Sequence, residues 1–200
     1  MRVIAGVAKG RRLASPGHLD VRPMMDKVRM AVFNMLEALH VLQGARVLDL
    51  YAGTGSVGIE ALSRGAEHAD FVEWDPRVVR LIRENLRRTG FEDQAHVFRM
   101  RVEHVLERPH VLGEPLPYQI VSATPPYEAV DYNVLVPRLL RSPLVGADSV
   151  VIVEYPRELA GLPKMVAHFH KVRDRRYGRT RVALYCHEAQ LSRTTSPEER

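Results

Sequence analysis

The stretch Val47-Leu48-Asp49-Leu50-Tyr51-Ala52-Gly53-Thr54-Gly55-Ser56-Val57-Gly58-Ile59 decides the fold. An apolar run from Ala45 to Leu50 breaks at glycine, and apolar residues then recur at helical spacing through Val57, Ile59, Ala61 and Leu62 to Gly65. A G-x-G-x-x-G string is a weak signal alone, but here it stands between a strand and a helix. Gly53 and Gly55 then permit a tight turn and close backbone approach, with a ligand against the strand's carboxyl end. The context predicts a nucleotide-type ligand; the competing reading is a glycine-rich packing turn.

The same rhythm continues on both sides. Phe71-Val72-Glu73 reads as a second strand, followed by Asp75-Pro76 as N-cap and first residue of a helix carrying Val78, Val79, Ile82 and Leu86 and closed by Gly90. A third apolar stretch near Val97-Phe98 precedes a short helix from Val102 to Leu106. A fourth strand, Gln119 to Ala123, runs into Thr124-Pro125-Pro126-Tyr127, and a helix near Asn133 to Arg141 and a strand from Ser149 to Glu154 follow. This alternation predicts an α/β fold, an open and mostly parallel sheet with helices on both faces. Met165 to Val172 and Thr180 to His187 face each other across Tyr177-Gly178, which adds a C-terminal antiparallel hairpin. Upstream, Val28, Val32, Met35, Leu36 and Leu39 mark a helix with Asp26 as its cap, and Arg2 to Leu13, split by Gly6 and Gly10, suits a short β arm. The expected organisation is a basic N-terminal arm over residues 1–20, one domain over 21–188, and a polar tail over 189–200 with too little apolar surface to order.

Composition narrows the partners. With 200 residues, 46% hydrophobic and 26% charged, the chain can bury a full core, and no apolar run approaches the ~20 residues a bilayer needs, so no membrane partner is expected. The lone Cys186 and a start without a long apolar segment predict a reducing, cytoplasmic setting. Lysine and arginine total 29 against 24 acids, a net charge of +5, and most of the base is arginine, whose planar fork suits phosphate. Lys9, Arg11, Arg12, Arg22 and Lys27 crowd the start and are the candidate contacts for a polyanionic partner, which the family resemblance given below makes RNA. Lys171, Arg173, Arg175, Arg176, Arg179 and Arg181 form a second basic cluster whose place relative to the first the sequence leaves open.

The acids select the ligand. Asp49 lies four residues ahead of Gly53, where a carboxylate can order the loop and a cationic ligand; this favours S-adenosylmethionine over NAD. Glu73 ends the second strand, where a carboxylate can take both ribose hydroxyls of either ligand. The candidate cofactor residues are Asp49, Tyr51, Ala52, Gly53, Thr54, Gly55, Glu73, Trp74 and Arg29. In Thr124-Pro125-Pro126-Tyr127, the candidate catalytic turn, two prolines fix φ and present the Pro125 carbonyl to a donor, while Tyr127 offers a flat face to a base. No metal site is expected: His168 and His170 share a strand face without completing ligands, and Cys186 reads as packed.

Taken together, Met1-Arg2-Val3-Ile4-Ala5-Gly6 with Lys9-Gly10-Arg11, Arg22-Pro23, Asp26-Lys27-Val28-Arg29, Ala31-Val32-Phe33-Asn34, the Leu48–Gly58 loop, Glu60-Ala61-Leu62-Ser63-Arg64-Gly65-Ala66, Phe71-Val72-Glu73 and Pro125-Pro126-Tyr127 resemble the RsmD family of 16S rRNA guanine-N2 methyltransferases. The resemblance runs from Met1 to about Tyr185. It implies a class I Rossmann-like methyltransferase fold with a seven-stranded sheet, S-adenosylmethionine as donor, and as acceptor guanine 966, in the usual RNA numbering, of the small subunit; the sequence leaves the oligomeric state open, with a monomer as the expectation. Two positions depart from the family: Thr124 stands where an Asp or Asn usually precedes Pro-Pro-Tyr, and Arg101 where an Asp usually holds the adenine amine, leaving main chain or Glu103 for that task and Arg101 itself as solvated surface. These departures keep open a catalytically silent S-adenosylmethionine-binding module associated with RNA. An NAD-dependent oxidoreductase rests on the glycine loop alone. Roughly seventy residues separate Gly53 from Thr124, too few for a separate recognition domain, so a structured RNA must supply its own shape while the arm grips phosphates.

Overall fold

The computed structural model describes residues 1–14, 17, 23–113 and 115–194. The elements are α1 (Asp26–Ala38), β1 (Arg46–Leu50), α2 (Ser56–Ser63), β2 (His68–Glu73), α3 (Pro76–Thr89), β3 (Ala95–Arg99), α4 (Val102–Glu107), β4 (Ile120–Ala123), α5 (Tyr132–Leu140), β5 (Val150–Pro156), β6 (Met165–Val166), β7 (Phe169–Tyr177), β8 (Thr180–His187) and α6 (Glu188–Thr194). One sheet orders them β3-β2-β1-β4-β5-β8-β7-β6, parallel from β3 to β5 and antiparallel beyond. The sheet thus has one strand more than the expected seven. The eighth arises because the apolar segment read as one strand from Met165 to Val172 reverses at Ala167, which sits at φ 50, and pairs Val166 with Phe169.

Strand alternation divides the core. Val47, Ala69, Phe71, Ile120, Ile152 and Val182 face α1, α2 and α3, whereas Leu48, Leu50, Val121, Val153 and Tyr185 face α4 and α5. The caps follow local chemistry: Asp75 Oδ1 accepts from Arg77 N at 2.7 Å, Pro76 is the first helical residue of α3, and Gly90 ends it at φ 76. Asp26 is not the cap of α1. Met25 holds that position, and Asp26 instead pairs with Arg29 one turn on. The tail also differs from expectation: it continues as α6 to Thr194, because Leu191 packs on the core and anchors a helix that composition alone would leave unfolded. Residues 195–200 lie outside the described residues.

The N-terminal arm closes with a single antiparallel bridge, Arg2 to Arg12, and docks on α2. Glu60, 1% exposed, accepts from Ile4 N at 2.8 Å, Ala5 N at 3.0 Å and Arg64 Nε at 2.8 Å, with Arg29 Nε at 3.6 Å. Ser63 adds Oγ to Ala5 O at 2.6 Å and accepts from Ala8 N at 3.0 Å. Gly6 makes this contact possible, since a Cβ there would stand 1.7 Å from Ser63 O. A carboxylate binding two amides and two guanidinium groups in the interior cannot be neutralised without stranding Arg29. Glu60→Gln is therefore expected to lower stability by about 3 to 5 kcal/mol, read as a fall in the urea midpoint at unchanged slope. A loss below about 1 kcal/mol would remove Glu60 from the central role assigned to it.

Candidate functional site

The helices following β1 and β4 leave the sheet in opposite directions, and that reversal opens a crevice at the carboxyl ends of the two strands. The glycine loop and the Thr-Pro-Pro-Tyr turn thereby become neighbours, with Thr124 N donating to Leu50 O at 3.4 Å. Tyr51, Gly53 and Gly55 adopt φ of 57, 54 and 74, three left-handed residues within five. Tyr51 holds this conformation without being glycine, a local strain of the kind that gathers at functional sites. Its hydroxyl donates to Glu103 Oε1 at 3.4 Å, so Glu103 stands at the mouth of the loop. Ala52 is held by its N–H on Val72 O at 3.1 Å. Thr54, buried, accepts at its carbonyl from Asn85 Nδ2 at 2.9 Å. The third glycine serves packing, since a Cβ on Gly58 would lie 2.4 Å from the Phe71 ring.

Two carboxylates sit under this loop. Asp49 is fully buried; its Oδ2 accepts from Gly58 N at 3.1 Å, and its Oδ1 has no partner among the described residues. Burial pushes its carboxyl up to about 7. Ser122 Oγ, opposite it on β4, is likewise buried without a partner among the described residues. Glu73 accepts from Gly53 N at 3.2 Å through Oε2 and from Trp74 N at 2.8 Å and Asp75 N at 3.0 Å through Oε1, which ties the loop to the end of β2. Its Oε2, with a single donor, retains lone-pair capacity for a further one. Trp74 is 55% exposed, and the Arg101 guanidinium lies 4.9 Å above its ring. Arg101, expected as solvated surface, is exposed and rests on Trp74, next to Glu73, by a cation–π contact.

In the turn, Pro125 is buried, Pro126 exposed and Tyr127 half-buried. The Tyr127 hydroxyl donates to Glu154 Oε1 at 3.0 Å and shares a 2.5 Å hydrogen bond with Thr180 Oγ1. Neither partner is legible in the sequence, because β5 and β8 reach this turn only through sheet pairing. Beside the ring opens a cavity of about 630 Å³ lined by Tyr127, Glu128, Asp131, Tyr132, Pro156 and Leu159.

Arg29 is a correction. It is fully buried and offers nothing to the loop: its Nη2 donates to Arg2 O at 2.7 Å and Asp26 Oδ1 at 3.0 Å, so it fastens the arm. Glu60, which completes that clamp, is absent from the candidate residues, although a lone acid in the apolar run Ser56-Val57-Gly58-Ile59-Glu60-Ala61-Leu62 is a readable signal for a buried partner.

The candidate RNA-binding set is divided by the fold. Lys9, Arg11, Arg12 and Lys27 are exposed, and Arg22 lies outside the described residues. Arg11 Nη1 donates to Arg88 O near the carboxyl end of α3, and Lys9 follows Ala8, which is bound to Ser63 in the last turn of α2. Those helix ends lie away from the crevice, on the order of 12 Å for the eight residues of α2. Arg12 lies nearer, bridged to Arg2 beside Met1, whose Sδ is 3.8 Å from Thr54 Oγ1. His168 and His170 do share a carboxylate, Glu188, at 2.8 and 3.9 Å. The described residues also gather His68, Asp70 and His96 at the amino ends of the strands, far from the crevice; there Asp70 already accepts from Tyr118 Oη at 2.6 Å. Cys186 is buried, which pushes its thiol up to about 11.

Comparison with known proteins agrees with this arrangement. A family model described as conserved hypothetical protein 95 matches residues 1–186. The putative rRNA methyltransferase YlbH of Bacillus subtilis is 34% identical over 92% of this chain and 98% of its own length. Ribosomal RNA small subunit methyltransferase D of Escherichia coli is 31% identical over 95% and 91%. Among solved structures, a putative methyltransferase, yhhF, from Escherichia coli superposes with a TM-score of 0.80 at 31% identity, covering 94% of this chain and 98% of that one. Hypothetical protein TTHA0928 of Thermus thermophilus gives 0.77 at 35%, covering 92% and 98%. The chain belongs to the RsmD-like family of rRNA methyltransferases.

Proposed function

We propose that this protein transfers a methyl group from S-adenosylmethionine to the exocyclic N2 amine of a guanine, guanine 966 in the usual RNA numbering, in the 16S rRNA of a small-subunit assembly particle in the cytoplasm, acting as a monomer. The observation that carries this reading is the side-by-side placement of a carboxylate-floored glycine loop and a Pro-Pro-Tyr turn at one sheet reversal. The residues fit the donor: Asp49 supplies a buried, unpartnered acceptor for a cationic ligand, Glu73 a carboxylate at ribose distance from the loop, and Trp74 an exposed aromatic face beside it. S-adenosylmethionine, when bound, supplies the electrophilic methyl; the chain's own residues hold and aim the acceptor.

A guanine amine is delocalised into its ring and is a poor nucleophile. The Thr124 hydroxyl and the Pro125 carbonyl are assigned to accept its N–H groups, and Tyr127, fixed through its hydroxyl, presents its ring to the base. Replacing a charge-assisted acceptor by the Thr124 hydroxyl costs on the order of 1 to 2 kcal/mol, whereas positioning contributes about 7 to 11 kcal/mol. Positioning dominates, so the departure at Thr124 slows the reaction without abolishing it. Arg12 and Lys27 are assigned to RNA phosphates, as is Arg22, which lies outside the described residues, with Lys9 and Arg11 meeting RNA farther from the crevice.

The test is methyl transfer from labelled S-adenosylmethionine to small subunits lacking the modification, with naked 16S rRNA and duplex DNA alongside, followed by mapping of the base. Label on one guanine N2 is expected; donor binding with transfer to no substrate would instead assign a silent module. Thr124→Ala is expected to reduce kcat by roughly twofold to tenfold, the loss of one neutral hydrogen bond, and an unchanged kcat would remove the hydroxyl as acceptor. Asp49 gives a pH signature. Its carboxyl rises from 3.8 to about 7 on folding, so the free protein loses stability as pH climbs through that window. A cationic ligand requires the ionised form, so calorimetric affinity for S-adenosylmethionine is expected to increase up to roughly tenfold per unit as pH approaches 7, then level. Asp49→Asn should bind weakly with a flat profile; wild-type affinity that ignores pH between about 6 and 8 would sink the assignment.

A further inference from the structure

Asp174 sorts the second basic cluster into two groups. It accepts from Lys171 Nζ at 2.7 Å, from Tyr155 Oη at 2.7 Å and from Arg181 Nε at 3.1 Å, so Lys171 and Arg181 are spent on an internal network. Arg173, Arg175, Arg176 and Arg179 are exposed and form no ion pair among the described residues. Arg176 and Arg179 flank Gly178 at the turn of the β7–β8 hairpin, and Arg176 Nε donates to Gly178 O at 3.1 Å, which folds that side chain across the tip.

The antiparallel register carries this tip to the crevice. Thr180 pairs with Pro156 at the carboxyl end of β5, Arg157 N donates to Arg179 O at 3.0 Å, and Thr180 Oγ1 meets the Tyr127 hydroxyl at 2.5 Å. One side-chain hydrogen bond therefore joins the hairpin tip to the proposed catalytic turn, whereas Lys9 and Arg11 sit at the far ends of α2 and α3. The cavity beside Tyr127 has an acidic rim of Glu128, Asp131 and Glu158, and the hairpin next to it presents arginines outside any ion pair among the described residues. A nucleotide carries the same division: base edges with N–H donors on one side, a phosphate chain on the other.

We infer that the β7–β8 hairpin tip, through Arg176 and Arg179, is the phosphate-binding rim that seats the RNA strand next to the target base. This rests on the RNA methyltransferase reading and names a substrate contact of the same site. Guanidinium forks suit phosphate oxygens, and a strand gripped there places its neighbouring base over the Tyr127 cavity.

The experiment measures RNA binding and methyl transfer between about 50 and about 200 mM salt for wild type, Arg176→Ala with Arg179→Ala, and Arg83→Ala with Arg87→Ala, a control on α3 at the opposite sheet edge. Two lost phosphate contacts should shrink the log–log salt slope by about 1.4 to 1.8 and raise KM for RNA about tenfold. S-adenosylmethionine affinity and kcat at saturating RNA should stay as in wild type, and the α3 control should keep the wild-type slope. Restoring charge with Arg176→Lys and Arg179→Lys should recover most of the slope. If the alanine pair fails to fold, judged by circular dichroism and donor binding, the pair Arg176→Gln with Arg179→Gln is read in its place. An unchanged slope and KM in a folded, active variant overturns the inference. So does a KM effect on assembled subunits with no change in binding to naked 16S rRNA, which would make the hairpin's partner a protein. Failure of the wild-type enzyme to methylate any RNA would be a failure of the functional reading, distinct from either result.

Discussion

The pairing of β1 with β4 is the constraint on which the site depends. β1 leads through α2 to β2 and β3 on one side, and β4 leads through α5 to β5 on the other, so two loops that start from adjacent strands diverge. No side chain has to hold the crevice open, because connectivity keeps the helices from covering it. The register Asp49↔Ser122 and Leu50↔Ala123 then sets a glycine loop level with a proline turn. The same register places Asp49 and Ser122 face to face in the interior, each with an oxygen unpartnered among the described residues. Asp49 and Ser122 therefore sit beside each other under the glycine loop, close enough for the Ser122 hydroxyl to act on the buried carboxyl.

The arm depends on the same loop from behind. Glu60 lies one turn into α2, the helix that Gly55 starts, and binds the amides of Ile4 and Ala5 while Arg29 binds the carbonyl of Arg2. Met1 Sδ comes within 3.8 Å of Thr54 Oγ1. The first residues therefore brace the cofactor loop rather than trail from it, and the arm's charge is distributed along α2 from the crevice to its far end.

Legibility in the sequence follows the range of the interactions. The strand, loop and helix around Gly53, the Asp75 cap, the Gly90 stop and the Thr124–Tyr127 turn are set by neighbours within a few residues, and each is readable. Arg29 misleads because only one side of its environment is local: Asp26 is a turn away, but the Arg2 carbonyl and Glu60, 31 positions on, lie on elements that the sequence does not place beside it. The tail misleads because composition averages over residues, whereas one well-placed Leu191 suffices to seat a helix. In the second basic cluster, six similar cations are equivalent on paper. Only the fold shows that Asp174 takes two of them and that the hairpin turn delivers others to the crevice.

Tyr127 joins these strands of argument. Its hydroxyl is held by Glu154 on β5 and Thr180 on β8, so the ring is fixed by the two strands that also carry the hairpin. Tethering at the hydroxyl holds the far end of the ring axis and leaves only rotation about that axis, so the ring stays in place beside the cavity. Such rigidity matters most where the acceptor is a neutral hydroxyl, because the rate then rests on geometry more than on charge. In the proposed reading, the carboxylate that the turn lacks at Thr124 is offset by the placement of the Tyr127 ring through Glu154 and Thr180. In the proposed reading, the hairpin that seats the RNA backbone also anchors this ring through Thr180, which couples strand placement to base stacking.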